Sequence, residues 1–455
     1  MYLPQDSAMK IAFLHQPWNR IEAGKPQGSV PIWTSQVAQQ LSRHHEVYIY
    51  SRRFRESSRN ETVGGLRYMR VSAPLDPWVT RFVLPVTKLS EPRRPLMSSP
   101  LYFRQYYSQA AQDMARQGID VVHVHSFPQA ASIIRSFHSS LKIVVHLHVE
   151  WLNLLPPRLA RKQIQDADLV LGCSEYVSEK MRRALPDYAA RIRTIYNGVN
   201  VDLFYEKQHS CSRVGKERKI LLVGRISPEK GIHTLLEAFH RLVEEEDSLR
   251  LVIIGPDLVV PMEVIVNISD SDVVSQLRKF YDTTMWRQLR TWLKNRYPRR
   301  LTWLRDTTYG GALRAMLQGK MADRVLFVGF IPNEDLPRWY READLLVLPS
   351  VYETFGMPLI EAMASGTPVL ATRTGGIPEV VEDGRTGILV EPGSPAQLAQ
   401  GIRSVIHNDG LLRQMGIEGR RQVVEKFSWE KIVDTLLQYY GEIVFTPPSA
   451  ATVRV

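Results

Sequence analysis

Short apolar runs alternate with segments of helix length twice along this chain, and that rhythm is the tightest constraint on its fold. The first series contains Lys10–His15, Glu46–Tyr50, Asp120–His125, Lys142–His148, Ala167–Gly172 and Arg193–Tyr196. The second contains Lys219–Gly224, Leu249–Gly255, Arg324–Gly329, Asp344–Leu348, Thr367–Ala371 and Gly387–Val390. Runs that stay apolar throughout read as strands buried on both faces, and strands separated by helices read as a parallel sheet. Two such series in 455 residues predict two doubly wound α/β domains. The expected boundaries are 1–205 for the first domain, 206–218 for a polar linker, 219–425 for the second domain and 426–455 for a C-terminal helix and tail. Ligands of such sheets bind beyond the carboxyl ends of the strands, so two facing domains predict a site in a cleft. Neither series carries G-x-G-x-x-G after its first strand, which argues against a dinucleotide-dependent dehydrogenase.

Charge narrows the partners. The balance of 58 Lys+Arg against 47 Asp+Glu gives +11, which suits nucleotide phosphates, anionic lipids or nucleic acid. Basic residues concentrate in an insertion at 257–323, with Arg287, Arg290, Lys294 and Arg299 near Trp286, Leu289, Trp292 and Leu293 at helical spacing. This reads as a surface insertion packing its aromatic face on its own domain, or as a basic helix lying on an anionic membrane. No nucleic-acid recognition motif accompanies it. Cys173 and Cys211 cannot build a disulfide framework, and no zinc spacing is legible. No apolar run approaches the ~18 residues of a membrane span. The first residues, with Asp6, lack the apolar core of a signal peptide. The expected location is cytoplasmic, with peripheral contact at the inner face of a membrane left open.

Two segments carry chemistry. Gly224-Arg-Ile-Ser-Pro-Glu-Lys-Gly231 follows a strand and leads into a helix. A glycine bend, a guanidinium and an ammonium at a helix N-terminus suit phosphate oxygens. The plainer alternative is an ordinary turn with solvated charges. Val351 to Ala364 follows the strand ending at Leu348, with Glu353 in the loop, Pro358 in the first helical turn and Glu361 within the helix. Carboxylates accept paired hydroxyls well, so Glu353 and Glu361 suit a polyhydroxylated ligand. Their alternative is a helix-start charge and a solvated face, although Ile360, Ala362 and Met363 surround Glu361 with apolar neighbours.

Together these segments, with Ala371-Thr-Arg-Thr-Gly-Gly-Ile-Pro-Glu-Val380, resemble glycosyltransferase family 4 of the GT-B superfamily. The resemblance implies two Rossmann-like domains facing across a cleft, with the amphipathic run Phe427–Tyr440 crossing back to the first. It implies transfer of a hexosyl group from a nucleoside diphosphate sugar to a hydroxyl acceptor, with retention at the anomeric carbon. Arg225 and Lys230 would hold the diphosphate and Glu361 the ribose. Glu353 would hold hydroxyls of the sugar, helped by backbone groups of Phe355, Gly356 and Met357. His125 would contact the donor sugar, with His148 a second candidate. The family's early Gly-Gly loop is Gly28-Ser29 here, so Gly28 alone would bring backbone near the phosphates. No cofactor and no essential divalent ion are expected, since no D-x-D signature stands in a suitable loop. The acceptor would be a saccharide, a lipid-linked or a small-molecule hydroxyl, taken by the stretch from Asp76 to Tyr107. An anionic membrane surface is a further partner to consider; nucleic acid is not. The rivals are a sugar-nucleotide epimerase of the same fold and a catalytically silent partner binding nucleotide-sugar or lipid.

Overall fold

A computed structural model describes residues 8–24, 26–54, 60–83, 96–205, 217–258, 272–281 and 309–445. Most of the expected linker, Cys211 and the tryptophan-bearing part of the basic insertion lie outside the described residues. The chain divides into two compact units, one of Met1–Gly198 with Trp429–Val455 and one of Val199–Ser428. Residues 199–205, expected in the first domain, join the second. There Phe204 meets the Tyr340 ring at 5.8 Å and its carbonyl accepts from Arg420 at 3.0 Å.

The first unit is built on an eight-stranded sheet. Its strands are β1 Lys10–Leu14, β2 Glu46–Arg52, β3 Asn60–Val63, β4 Leu66–Val71, β5 Val121–His125, β6 Lys142–Leu147, β7 Leu169–Gly172 and β8 Ile192–Thr194. They lie in the order β3-β4-β2-β1-β5-β6-β7-β8, all parallel except β3, which runs antiparallel to β4. Sequence reading missed this hairpin because β3 is largely exposed and β4 carries Arg67 and Arg70. The Gly64-Gly65 pair, with φ of 58° and 81°, was the available signal, since both positions of a tight hairpin turn need positive φ.

Helix α1 (Ser29–Leu41) covers one sheet face with Trp33, Val37 and Leu41. Helix α2 (Arg104–Gln117) covers the other with Tyr106, Tyr107, Ala110 and Met114. The C-terminal helix, Trp429–Phe445, returns to this unit and packs on α1. Its Trp429, Ile432, Val433, Leu436 and Tyr440 recur at helical spacing and join the core around Trp33.

The second unit holds a six-stranded sheet that is parallel throughout. Its strands are β9 Arg218–Val223, β10 Leu249–Ile254, β11 Val325–Gly329, β12 Leu345–Leu348, β13 Val369–Thr372 and β14 Gly387–Val390. The order is β11-β10-β9-β12-β13-β14. The chain therefore works outward from β9 through β10 to β11, then returns to the other flank of β9 with β12. The strand order reverses between β9 and β12, which opens a crevice at their carboxyl ends.

Candidate functional site

The loops leaving β9 and β12 meet at that crevice. After Val223 the chain bends at Gly224, passes Arg225 to Ser227 and makes one tight turn over Pro228–Lys230. Gly231, at φ 66°, then starts helix α3 (Ile232–Glu245). A Cβ on Gly231 would stand 2.0 Å from the carbonyl oxygen of Pro349, and one on Gly375 would stand 1.7 Å from that of Glu353. Glycine at both positions lets three loops touch backbone to backbone. Hydrogen bonds join them: the Glu229 carbonyl accepts from Val351 N at 2.8 Å, and the Glu353 carbonyl accepts from Gly376 N at 3.2 Å. Helix α4 (Met357–Ala364) begins just beyond, with Gly356 at φ 99° before its first turn and Phe355 buried beneath.

The side chains follow this frame. Lys230 Nζ donates to Glu353 Oε2 at 2.6 Å, and the two side chains are only 15% and 12% exposed. Ser350 donates to the same oxygen at 3.4 Å. Arg225 donates to Glu229 at 3.1 Å while its own side chain stays 40% exposed. Thus the turn that carries Arg225 and Lys230 meets the loop of Glu353, 123 residues on from Lys230. Glu229 was not singled out from sequence, yet it is 1% exposed and also accepts from Ser227 at 2.5 Å and Tyr281 at 3.4 Å. It fixes Arg225 through its carboxylate and the β12 loop through its carbonyl. Its position between two cations in a turn this tight was the signal.

Glu361 lies inside α4, 6% exposed, accepting from Tyr340 Oη at 2.6 Å and Asn333 Nδ2 at 3.0 Å. Burial pushes its carboxyl up to about 7, against the pull of these two donors. The folded chain then holds a proton that the unfolded chain releases near 4.5. Stability from this group is full below that value and declines as the pH rises to about 7. Glu361→Gln should remove the decline. Relative to wild type it gains about 1.4 kcal/mol of unfolding free energy per pH unit across the window. Denaturant titrations from pH 4.5 to 7 measure this, and parallel profiles for the two proteins would contradict it.

In the first unit, Gly28 precedes α1 at φ 91° and its carbonyl accepts from Ile32 N at 3.0 Å. His125 ends β5 fully buried. Its Nε2 shares a hydrogen bond with Thr34 Oγ1 at 2.9 Å and its Nδ1 one with His148 Nε2 at 3.0 Å. A donor-sugar contact at His125 would have to open one of these bonds, whereas His148 is only half-buried. His123 bridges Tyr440 Oη at 2.7 Å and His146 at 3.1 Å. His123, His125 and His146 bring ligand nitrogens within 4.8 Å of one another, the one such metal-competent group among the described residues. Hydrogen bonds already account for most of their nitrogens. Among the described residues, His146 Nε2 and both nitrogens of buried His15 have no partner. Burial first, then mutual repulsion, holds these rings below their ordinary range, so they are neutral near pH 7.

Two Rossmann-like α/β units, one with a charged crevice at its switch point, make up the GT-B architecture of glycosyltransferases. Family models match side by side: Glycosyltransferase Family 4 over residues 32–203 and Glycosyl transferases group 1 over residues 206–282 and 313–422. The chain belongs to glycosyltransferase family 4. It is 23% identical over 428 residues to spore coat protein SA of Bacillus subtilis (strain 168), covering 91% of this chain and 94% of that one. It is 26% identical over 361 residues to N-acetyl-alpha-D-glucosaminyl L-malate synthase of Bacillus anthracis, covering 76% and 80%. The fold matches sucrose-phosphate synthase from Thermosynechococcus elongatus with a TM-score of 0.66 at 22% identity, over 96% of this chain and 99% of that one. It matches Anabaena HepE in complex with UDP and glucose with a TM-score of 0.62 at 20% identity, over 95% and 99%. Among the described residues, no helix is long and apolar enough to cross a membrane.

Proposed function

We propose that this glycosyltransferase moves a hexosyl group from a nucleoside diphosphate sugar to a hydroxyl acceptor, with retention at the anomeric carbon. The observation that carries the reading is the Lys230–Glu353 pair at the switch point, with Arg225 on the same turn, held by Glu229. Arg225 offers a guanidinium fork and Lys230 a point charge to the two phosphates. Glu353 accepts from hydroxyls of the sugar, with backbone of Phe355, Gly356 and Met357 alongside. Glu361 keeps lone pairs beyond those taken by Tyr340 and Asn333, enough to accept from ribose hydroxyls. The bond from the anomeric carbon to the diphosphate breaks, and one from the acceptor oxygen forms on the same face. The acceptor's proton passes to the departing diphosphate, whose charge Arg225, Lys230 and the helix N-termini stabilise. Those groups supply the positive charge, so no divalent ion is required. HepE was solved with UDP, which makes uridine nucleotides the first donors to try.

Thermal-shift screening with UDP-, GDP- and ADP-sugars, followed by assay of nucleoside diphosphate release, tests this. Release should depend on an acceptor, survive EDTA with less than a twofold change, and give a product with the donor's anomeric configuration. Interconversion of the sugar nucleotide without release would favour the epimerase. Binding with no turnover over any acceptor would favour the silent partner.

The reading places the reaction in the cytoplasm. A described candidate for a peripheral contact is the segment where Leu75, Trp78 and Phe82 are each more than half exposed beside Arg81. Sedimentation with anionic vesicles, compared between wild type and Trp78→Ala, tests it; equal pelleting would remove it.

A further inference from the structure

The first unit carries a cavity of about 570 Å³ that none of the expected site residues lines. It is bounded by the β3–β4 hairpin, the end of β2 and one face of α2. Its volume falls within the roughly 300–1,000 Å³ typical of small-molecule sites. Gln109, Gln112, Asp113 and Arg116 all line it. They recur at three- and four-residue steps, so they form one stripe along α2 opposite the helix's buried tyrosines. Arg53, Arg70 and Ser72 line the cavity from the strand side.

The charges are unequal. Three guanidiniums and one carboxylate, Asp113, line the cavity, and Asp113 accepts from Tyr50 Oη at 2.9 Å. Arg70 is buried and pairs with Glu61, so it is fixed in place. Arg53 and Arg116 are exposed, and among the described residues neither is paired with a carboxylate. Two such forks suit the oxygens of a tetrahedral dianion. The rest of the lining asks for more than an ion. Gln109, Gln112 and Asn60 each present an amide donor and an acceptor, the pattern that reads hydroxyl groups.

We propose that this cavity binds a sugar phosphate, the phosphate between Arg53 and Arg116 and the hydroxyls against the amides of α2. It shares no residue with the β9–β12 crevice, so it stands or falls separately from the donor assignment.

Calorimetry on the full-length protein tests it with glucose 6-phosphate, inorganic phosphate and glucose as probes. Glucose 6-phosphate should bind at least tenfold more tightly than either alternative. Its affinity should fall with added salt, and by about 30-fold or more in the Arg53→Gln/Arg116→Gln variant. Both arginines are surface residues, so that variant should fold, and its nucleotide binding should match wild type. Product analysis with donor present then separates the two sources of this ligand: glycosylation of the probe makes it an acceptor, and an altered donor turnover without glycosylation makes it an effector. Equal affinity in wild type and variant, or no binding of either phosphate probe, would overturn the site. Equal binding of inorganic phosphate and glucose 6-phosphate would overturn its recognition of saccharide.

Discussion

Replacing Lys230 by alanine should slow donor consumption by roughly two to three orders of magnitude while leaving the protein folded. The ammonium sits 2.6 Å from Glu353 in a mostly shielded position, so deletion has two effects. In the proposed reaction it removes a positive charge from the place where the leaving diphosphate would gather negative charge. It also leaves Glu353 without its counter-charge, which would disturb the group proposed to hold the sugar's hydroxyls. The loop itself is held by Gly231 against Pro349 and by Glu229 against Val351, none of which needs the lysine side chain. Arginine at this position should not restore the rate, because a wide fork replaces a compact charge in a tight space. Steady-state rates with melting curves on the same samples decide the matter. Full activity in a folded Lys230→Ala protein would remove the diphosphate assignment.

Mild acid should unfold the first unit before the second. His15 and His148 are pushed down to about 3, chiefly by burial, and His123, His125 and His146 lie well below the ordinary 6.5 for the same reason. An unfolded chain protonates these rings as the pH falls through 6.5, while the folded unit leaves them neutral. Their stability is therefore full above that value and lost as the pH drops toward the folded values. Each ring costs about 1.4 kcal/mol per pH unit, so between pH 7.5 and 5.5 the loss is on the order of 5 kcal/mol. That rivals the whole stability of a typical domain. The second unit has only His233 so displaced among its described residues, to about 4. The Glu361 contribution runs the other way in the same range and is a single group. Melting curves from pH 7.5 to 5.5 should show the first unit's transition falling steeply and the second's barely moving. A His146→Gln variant should lose about one proton of that dependence. A flat profile would show that the cluster does not stay neutral in the folded unit.

The sheets were legible because a strand buried on both faces is apolar through its middle, as Ile220–Val223 and Ile143–Val145 are. The C-terminal helix was legible because Trp429 to Tyr440 keeps one apolar stripe. The β3–β4 hairpin escaped because an edge strand facing water carries no such signature. In the site, the family resemblance assigned Lys230 and Glu353 to one donor in advance, but their direct ion pair is visible only in the fold. The inward role of Glu229 could not be read in advance, since only the packed turn shows that a carboxylate flanked by cations has left the solvent. His125 illustrates a different case. The family resemblance implied a donor-sugar contact there, and the alternation that sets His123, His125, His146 and His148 on one face also lets them bond to each other. That pairing depends on β5 and β6 being neighbours, which no single segment reveals.

The central claim is that the loops after β9 and β12 form one pocket for the donor's diphosphate. Calorimetric titration of UDP, GDP and ADP into wild type and an Arg225→Ala/Lys230→Ala variant tests it most directly. At least one nucleotide should bind wild type, and its affinity should fall by about 30-fold or more in the folded variant, with the matching nucleoside unaffected. An unchanged affinity, or a loss equally large for the nucleoside, would mean that the two cations do not face the phosphates.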